Sequence, residues 1–215
     1  MIKKLKEYYG NLKKEDKAIF FLQISTLCNI VVAFVKLILA LSLPSLWFFI
    51  NACFLFVLIL ARGFSLRDYR KAKYTADKAE ELKISRRNYL NNGIILLALG
   101  VIYFCVSLYL MFRGGKGAMH EYLTYLTALI AFWSCGSAIY GMVKYKRDHS
   151  PILSAVKITN FAYALTSIVL TQVVLLSAFS GDIDTKLFNG ITGMAASVAI
   201  TVFGIYMVIG AKKIR

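Results

Sequence analysis

The chain has 215 residues, of which 59% are hydrophobic and only 17% are charged, and its mean hydropathy is +0.64. Soluble proteins carry about 25% charged residues, and a soluble domain of this size leaves about a third of its extended-chain surface in water. The composition therefore excludes a soluble enzyme, a disordered chain and a disulfide-stapled secreted module. It predicts an integral membrane protein.

Six apolar segments follow one another along the chain. Each is long enough, or nearly so, to cross a hydrocarbon core of about 30 Å as a helix, and none alternates as a barrel strand would. The sequence predicts an all-α bundle of six transmembrane helices built of two three-helix halves. The predicted segments are 18–43, 45–61, 93–112, 122–143, 152–179 and 188–209.

Lysine and arginine together number 26 against 11 acidic residues, a net charge of +15. In the six-helix topology 21 of these cations fall on one side and three on the other, with Lys36 and Lys157 inside helices. Cytoplasmic loops are rich in Lys and Arg, so both termini are predicted to be cytoplasmic. The expected location is the plasma membrane. The expected partner of these cations is anionic lipid headgroups, not nucleic acid.

Outside the apolar segments the sequence predicts little independent structure. Residues 1–17 form a basic N-terminal segment, in which Ile2, Leu5, Tyr9 and Leu12 favour either a short interfacial helix or an unstructured tail. Residues 18–215 are predicted to be a single domain with a basic cytoplasmic loop at about 62–92. The centre of that loop, 72–84, favours helix and is predicted to be able to extend the second membrane helix.

Carboxylates and imidazoles, the groups that usually bind metals or relay protons in membranes, are missing from the six segments. Cys28, Cys53, Cys105 and Cys135 lie in apolar runs without the spacing of a metal site. No metal and no cofactor are therefore expected. No nucleophile–base pair occurs there either, so an enzyme is not predicted.

Two polar stripes run along the first and fifth segments at helical spacing and are predicted to face the bundle interior. They could line a polar path or hold an anion, or they could simply hydrogen-bond between helices. Lys36 and Lys157 could alternatively extend to the membrane surfaces. The stripes comprise Gln23, Thr26, Asn29, Ala33 and Lys36 in the first segment, and Lys157, Asn160, Ala164, Ser167 and Thr171 in the fifth.

The sixth segment carries small residues every fourth position. Gly193, Ser197 and Thr201 lie on one helical face, with Gly204 close by. Such faces let two helices approach closely. The sequence predicts that this face packs inside the bundle, and a homodimer seam is the alternative.

Two stretches resemble the cation diffusion facilitators. In 29–58, Asn29, Lys36, Ser45 and Leu46 match the family pattern in type and order, and 150–170 looks like the family's fifth helix. The resemblance covers about a third of the chain. It implies a cation-efflux-like bundle of six helices with both termini inside.

The resemblance fails at the family's metal site, which takes His and Asp ligands from the second and fifth helices. Here the corresponding positions hold Phe54 and Leu58, preceded by Asn51, and then Thr159 and Tyr163. None is an ordinary zinc ligand. The family's soluble C-terminal domain also has no counterpart in the sequence. The resemblance therefore implies the scaffold without the metal site.

The leading prediction is a transporter-like membrane protein whose substrate is not Zn²⁺. The candidate substrate-path residues are Asn51, Thr159, Asn160, Tyr163, Lys36 and Lys157. The alternative prediction is a non-transporting membrane partner or regulatory subunit, which would use small-residue faces for assembly and the basic loop for anionic lipid or a protein.

Overall fold

A computed structural model describes residues 14–42, 46–113, 121–144, 150–179 and 185–214, and every regular element in these ranges is an α-helix. There are six helices in the described ranges, one for each predicted apolar segment. They are α1 (Lys14–Ser42), α2 (Leu46–Tyr74), α3 (Lys78–Arg113), α4 (Glu121–Lys144), α5 (Pro151–Phe179) and α6 (Lys186–Ala211).

Four of the helices, α2, α3, α5 and α6, are long and apolar enough to cross a membrane. In α1 and α4 the described side chains give shorter apolar stretches, Thr26–Val35 and Thr124–Tyr140. Large apolar side chains also cover the outside of the bundle; Leu41, Phe112 and Trp133 are each at least 75% exposed. An exterior of this kind suits lipid and not water, which indicates an integral membrane protein.

The predicted segment bounds agree with the helices except at one end of α2 and α3. The polar stretch 62–92, predicted to be a loop, belongs almost entirely to these two helices, and only 75–77 lies between them. The hydropathy pattern changes at Ala61, but the backbone hydrogen bonding of a helix continues regardless of polarity. The predicted extension of the second membrane helix is confirmed as far as Tyr74.

The turn between α2 and α3 is made by short-range hydrogen bonds. The Thr75 hydroxyl donates to the Lys71 carbonyl at 2.9 Å, closing the end of α2. Asp77 caps α3, because its Oδ1 accepts from the Ala79 N–H at 2.9 Å. Glu80 and Glu81 in the first turn of α3 add a favourable interaction with the helix dipole. The two helices therefore form a helical hairpin that ends at 75–77.

Contacts between consecutive helices link the first three helices to one another and the last three helices to one another. In the first group α1 contacts α2 and α2 contacts α3; in the second, α4 contacts α5 and α5 contacts α6. The groups meet where α3 packs along α6 and where α5 packs against α2 and α3. The predicted division into two three-helix halves stays a prediction, because the most extensive helix contact, that of α3 with α6, joins one predicted half to the other. α5 is the most buried of the four long apolar helices.

Glycines bring α3 and α6 into close antiparallel contact. A Cβ at Gly204 would lie 2.6 Å from the Leu97 nitrogen, and one at Gly93 would lie 2.9 Å from the Met207 Cβ. A Cβ at Gly100 would collide with the Thr201 hydroxyl. The small-residue face predicted in the sixth segment thus packs inside the bundle, as expected, with Gly204 and Thr201 against α3.

Candidate functional site

One face of α2 carries the candidate site. Asn51, Leu55, Leu58, Arg62 and Ser65 follow one another at steps of four, three, four and three residues, and all are buried. Helical periodicity places them in a single row. The row begins and ends with polar side chains, and its only charged member is Arg62.

At the hairpin end of the row, Ser65 belongs to a hydrogen-bonded network with α3. The Ser65 hydroxyl donates to Asn88 Oδ1 at 3.2 Å, and Asn92 Nδ2 donates to Ser65 Oγ at 2.9 Å. Asn88 Nδ2 in turn donates to Asp68 Oδ2 at 2.8 Å. These bonds fix the antiparallel register of α2 and α3. Through the last of these bonds, the carboxylate of Asp68 is hydrogen-bonded to Asn88.

Arg62 lies next to this network but does not join it. Its side chain is 1% exposed, and none of its three guanidinium nitrogens has a hydrogen-bond partner among the described residues. The Tyr163 ring of α5 lies below it, with 5.6 Å between the guanidinium carbon and the ring centroid. A cation–π contact contributes about 0.5–2 kcal/mol, whereas burying an ion costs several kcal/mol even after relaxation. The ring therefore offsets only part of the cost of burying this cation.

The depth of Arg62 follows from its neighbours. With Ser65 opposite Asn92, and Phe54 packed edge-on against Tyr103 at 5.6 Å, antiparallel pairing sets Arg62 beside 94–95 of α3. That is the first apolar turn of α3. On α5, Tyr163 lies roughly 18 Å from Pro151 at 1.5 Å per residue. The guanidinium thus lies within the apolar depth of the bundle, one turn beyond the polar network.

The predicted site residues of α5 are buried or partly buried. The Thr159 hydroxyl is fully buried and donates to carbonyls of its own helix, Ala155 at 2.7 Å and Val156 at 3.0 Å. Tyr163 is the residue under Arg62. The Asn160 Oδ1 is buried and accepts no hydrogen bond from the described residues. An unsatisfied buried acceptor costs about 1–3 kcal/mol.

Asn51, the predicted site residue of α2, is 2% exposed. Its amide interacts with the hydroxyl of Tyr103 on α3. The structure therefore places Asn51 with α3, about 16 Å along α2 from Arg62 at 1.5 Å per residue. Tyr163 contacts Arg62, so the predicted residues are not all at one point.

The two polar stripes face the bundle where their side chains are described. Thr26, Asn29 and Ala33 of α1 are buried. On α5, Ala164, Ser167 and Thr171 are buried and Lys157 is half-buried with an interaction of its own. The Thr171 hydroxyl bonds to its own helix at Ser167 O, not across to a neighbour. Lys36 lies in α1, and its side chain is outside the described residues.

Sequence reasoning assigned Arg62 to the basic cytoplasmic loop and missed it as a site residue. It directly follows an apolar run, where a cation usually marks the membrane surface. The structure corrects this assignment, since Arg62 is inside the bundle. The available signal was its spacing. Arg62 continues the four-and-three pattern of Leu55 and Leu58 toward Ser65, which marks a buried face.

Metal ligands do not converge anywhere in the part of the chain that the structure describes: no three His, Cys, Asp or Glu side chains form a group. Cys28, Cys53 and Cys105 are exposed on the apolar exterior. The donors that do converge inside the bundle are guanidinium, amide and hydroxyl groups. A guanidinium binds anions and amide and hydroxyl groups bind polar solutes, and the Asp68 carboxylate lies at the hairpin end of the network.

No protein-family model matches the chain, and no curated protein matches it.

Proposed function

We propose that this protein is a transporter-like integral membrane protein with six membrane-spanning helices and both termini in the cytoplasm. It uses a cation-efflux-like scaffold in the plasma membrane, and its substrate is not Zn²⁺. The candidate path runs between the two three-helix groups and includes Asn51, Thr159, Asn160 and Tyr163, with Lys36 and Lys157 beside it.

The observation that carries this proposal is the presence of buried polar atoms without hydrogen-bond partners in both α2 and α5. Buried polar groups are nearly always hydrogen-bonded, yet the Arg62 guanidinium nitrogens and the Asn160 Oδ1 have no hydrogen-bond partner among the described residues. Groups that only held helices together would be paired with each other. Ionisable residues inside membrane segments pair with other groups or mark substrate and ion paths, and the second reading is the one proposed for Arg62.

The arrangement of the helices supports the same function. The first three and the last three helices meet through α3 and α6 and through the contacts of α5 with α2 and α3. With an odd number of helices in each half, the halves run in opposite directions. Transporters built of inverted repeats bind substrate near the midplane between the repeats.

Two observations support the orientation with both termini inside. The exposed cations Arg67, Arg70, Lys71 and Lys73 lie at the hairpin end of α2. Lys212 and Lys213, which follow α6, lie at the same end of the antiparallel α3–α6 pair. Cations concentrated at one end mark the cytoplasmic side.

Flux through the purified protein tests the proposal. Protein in liposomes is assayed with Zn²⁺, Mn²⁺ and a set of anions and neutral solutes, with protein-free liposomes as the blank. We expect no Zn²⁺ uptake and movement of at least one anionic or neutral solute. A double substitution Asn51→Leu and Asn160→Leu should reduce that flux at least about tenfold, as loss of transport-site hydrogen bonds predicts.

Asn91→Leu serves as the matched control, because Asn91 is exposed on α3. Zn²⁺ uptake by the wild-type protein would contradict the proposed substrate class. Unchanged flux in the double variant would remove Asn51 and Asn160 from the path.

The second candidate function is a non-transporting partner or regulatory subunit. It is favoured by the exposed basic surface of the hairpin, where Arg67, Arg70, Lys83, Arg86 and Arg87 are all accessible. Such a surface attracts anionic lipid at about 1 kcal/mol per cation. Any solute that moves through the purified protein alone would count against this function, and silence for every solute would favour it.

A further inference from the structure

We propose that the guanidinium of Arg62 anchors a binding site for a singly charged oxyanion, a carboxylate or a phosphodiester, between α2 and α5. The inference deepens the proposed function by naming the substrate class, and it rests on the same interior. Its starting point is that the Arg62 nitrogens have no hydrogen-bond acceptor among the described side chains and backbone.

Arginine is the residue type that specifies this ligand. Its guanidinium stays charged and presents N–H donors in a planar fork, which matches two oxygens of a carboxylate or phosphate group. The Arg62 guanidinium carbon lies 5.6 Å from the centre of the Tyr163 ring, and the Tyr163 hydroxyl is not a hydrogen-bond partner of the guanidinium. The described residues therefore provide no hydrogen-bond acceptor for the N–H groups of Arg62.

The charge of the protein around the site determines the net charge of the ligand that it would bind. The one described side chain in contact with the guanidinium is the uncharged Tyr163, and the nearest carboxylate along α2, that of Asp68, is bonded to Asn88, so Arg62 contributes a single positive charge to the site. A monoanion cancels that charge, whereas a dianion would leave a net negative charge at apolar depth. Carboxylates and phosphodiesters carry one negative charge at neutral pH, and both present two oxygens to one guanidinium.

Asp68 is the internal acceptor that could compete for Arg62. It lies six residues along the same helix, roughly 9 Å at 1.5 Å per residue. Its Oδ2 accepts from Asn88 Nδ2 at 2.8 Å, inside the network that holds α2 and α3 in register. The network thus keeps the neighbouring carboxylate on the hairpin side and leaves the guanidinium for an external ligand.

Thermal unfolding of the full-length protein in detergent tests the site without any requirement for transport. The probes are sodium propionate and sodium dimethyl phosphate, each compared with sodium chloride at equal ionic strength. At tenfold the dissociation constant we expect the wild-type Tm to rise by about 3–6 °C. Arg62→Leu should start at a higher Tm in chloride, since it removes an uncompensated buried charge, and should not respond to either anion.

Arg67→Leu is the matched control, because it removes an exposed arginine five residues along the same helix. It should respond as the wild type does. If Arg62→Leu does not fold, Arg62→Lys replaces it. Lysine keeps the charge and loses the fork, so the apparent affinity should fall at least about tenfold. An unchanged affinity in Arg62→Lys would overturn the proposal.

The phosphodiester can come from a free solute or from a membrane phospholipid, and native mass spectrometry separates the two sources. A lipid ligand would make the wild-type protein retain one phospholipid that Arg62→Leu lacks, and the dimethyl phosphate response would then appear only after delipidation. Two results overturn the site: equal anion responses in wild type and Arg62→Leu, or no anion response together with equal lipid retention.

The outcome is independent of the flux assay. Anion binding at Arg62 without flux would keep the site and remove the transporter. Flux without an Arg62-dependent anion response would keep the transporter and remove this site.

Discussion

Buried polar side chains take two forms in this protein, and Asn88 and Arg62 exemplify them. Asn88 is 1% exposed, and both ends of its amide are hydrogen-bonded: the oxygen accepts from Ser65 and Asn92, and the nitrogen donates to Asp68. Arg62 is equally buried and has no such partners among the described residues. The first arrangement stabilises the fold. The second costs free energy unless a further group supplies hydrogen-bond acceptors, and this cost is the basis of the proposed anion site.

Asn88→Leu should destabilise the protein, because Ser65 and Asn92 would each lose a partner while staying buried. We expect the free energy of unfolding to fall by about 2–3 kcal/mol, which corresponds to a Tm lower by about 4–12 °C for a chain of this size. The change in Tm is measured by thermal unfolding of the protein in detergent. Asn91→Leu on the exposed side of α3 should change the Tm little, and an equal drop in the two variants would contradict the role of the network.

Among the helices, the α3–α6 contact depends on the absence of side chains. Gly100→Ala would drive a methyl group into the Thr201 hydroxyl and to within 2.9 Å of the Thr201 nitrogen. Overpacking of this kind costs about 1–3 kcal/mol and outweighs the gain of about 1 kcal/mol that Gly→Ala brings within a helix. We expect Gly100→Ala to lower the Tm.

For Gly136 in α4 we expect that substitution by alanine does not lower the Tm. A Cβ there meets no described atom within 4 Å, so Gly136→Ala should leave the Tm unchanged or raise it. The Tm values of Gly100→Ala and Gly136→Ala are measured under the same conditions. A Tm that falls equally in both variants would mean that the α3–α6 contact is not the cause.

The sequence predicted every described helix, because an apolar run of membrane length has few other folded forms. The sequence prediction ended the second segment at 61 and began the third at 93, whereas α2 continues to Tyr74 and α3 begins at Lys78. Hydropathy changes in this stretch while the helices continue. The candidate site was predicted only in part. Asn51, Thr159 and Tyr163 were identified and are buried, but Arg62 was assigned to the loop. A cation beside an apolar run has the same signature whether it faces water or a neighbouring helix, and only the packing of α5 against α2 distinguishes them.

For the whole molecule, the proposed topology puts the α2–α3 turn in the cytoplasm and the start of α6 outside. In a variant whose native cysteines are replaced by alanine, single cysteines are introduced at the exposed positions Lys78→Cys and Lys186→Cys. A membrane-impermeant maleimide applied to intact cells should label Lys186→Cys and label Lys78→Cys only after lysis. Labelling of Lys78→Cys in intact cells would contradict the orientation.

The central claim is that Arg62, a charged residue inside the bundle, binds an anion that the protein carries across the membrane. The most direct measurement is propionate flux into liposomes that contain the wild-type protein, Arg62→Leu or Arg67→Leu, with protein-free liposomes subtracted. The account predicts uptake by the wild type and Arg67→Leu and loss of uptake in Arg62→Leu. Equal uptake by all three proteins, or no uptake above the protein-free liposomes by the wild type, would contradict it.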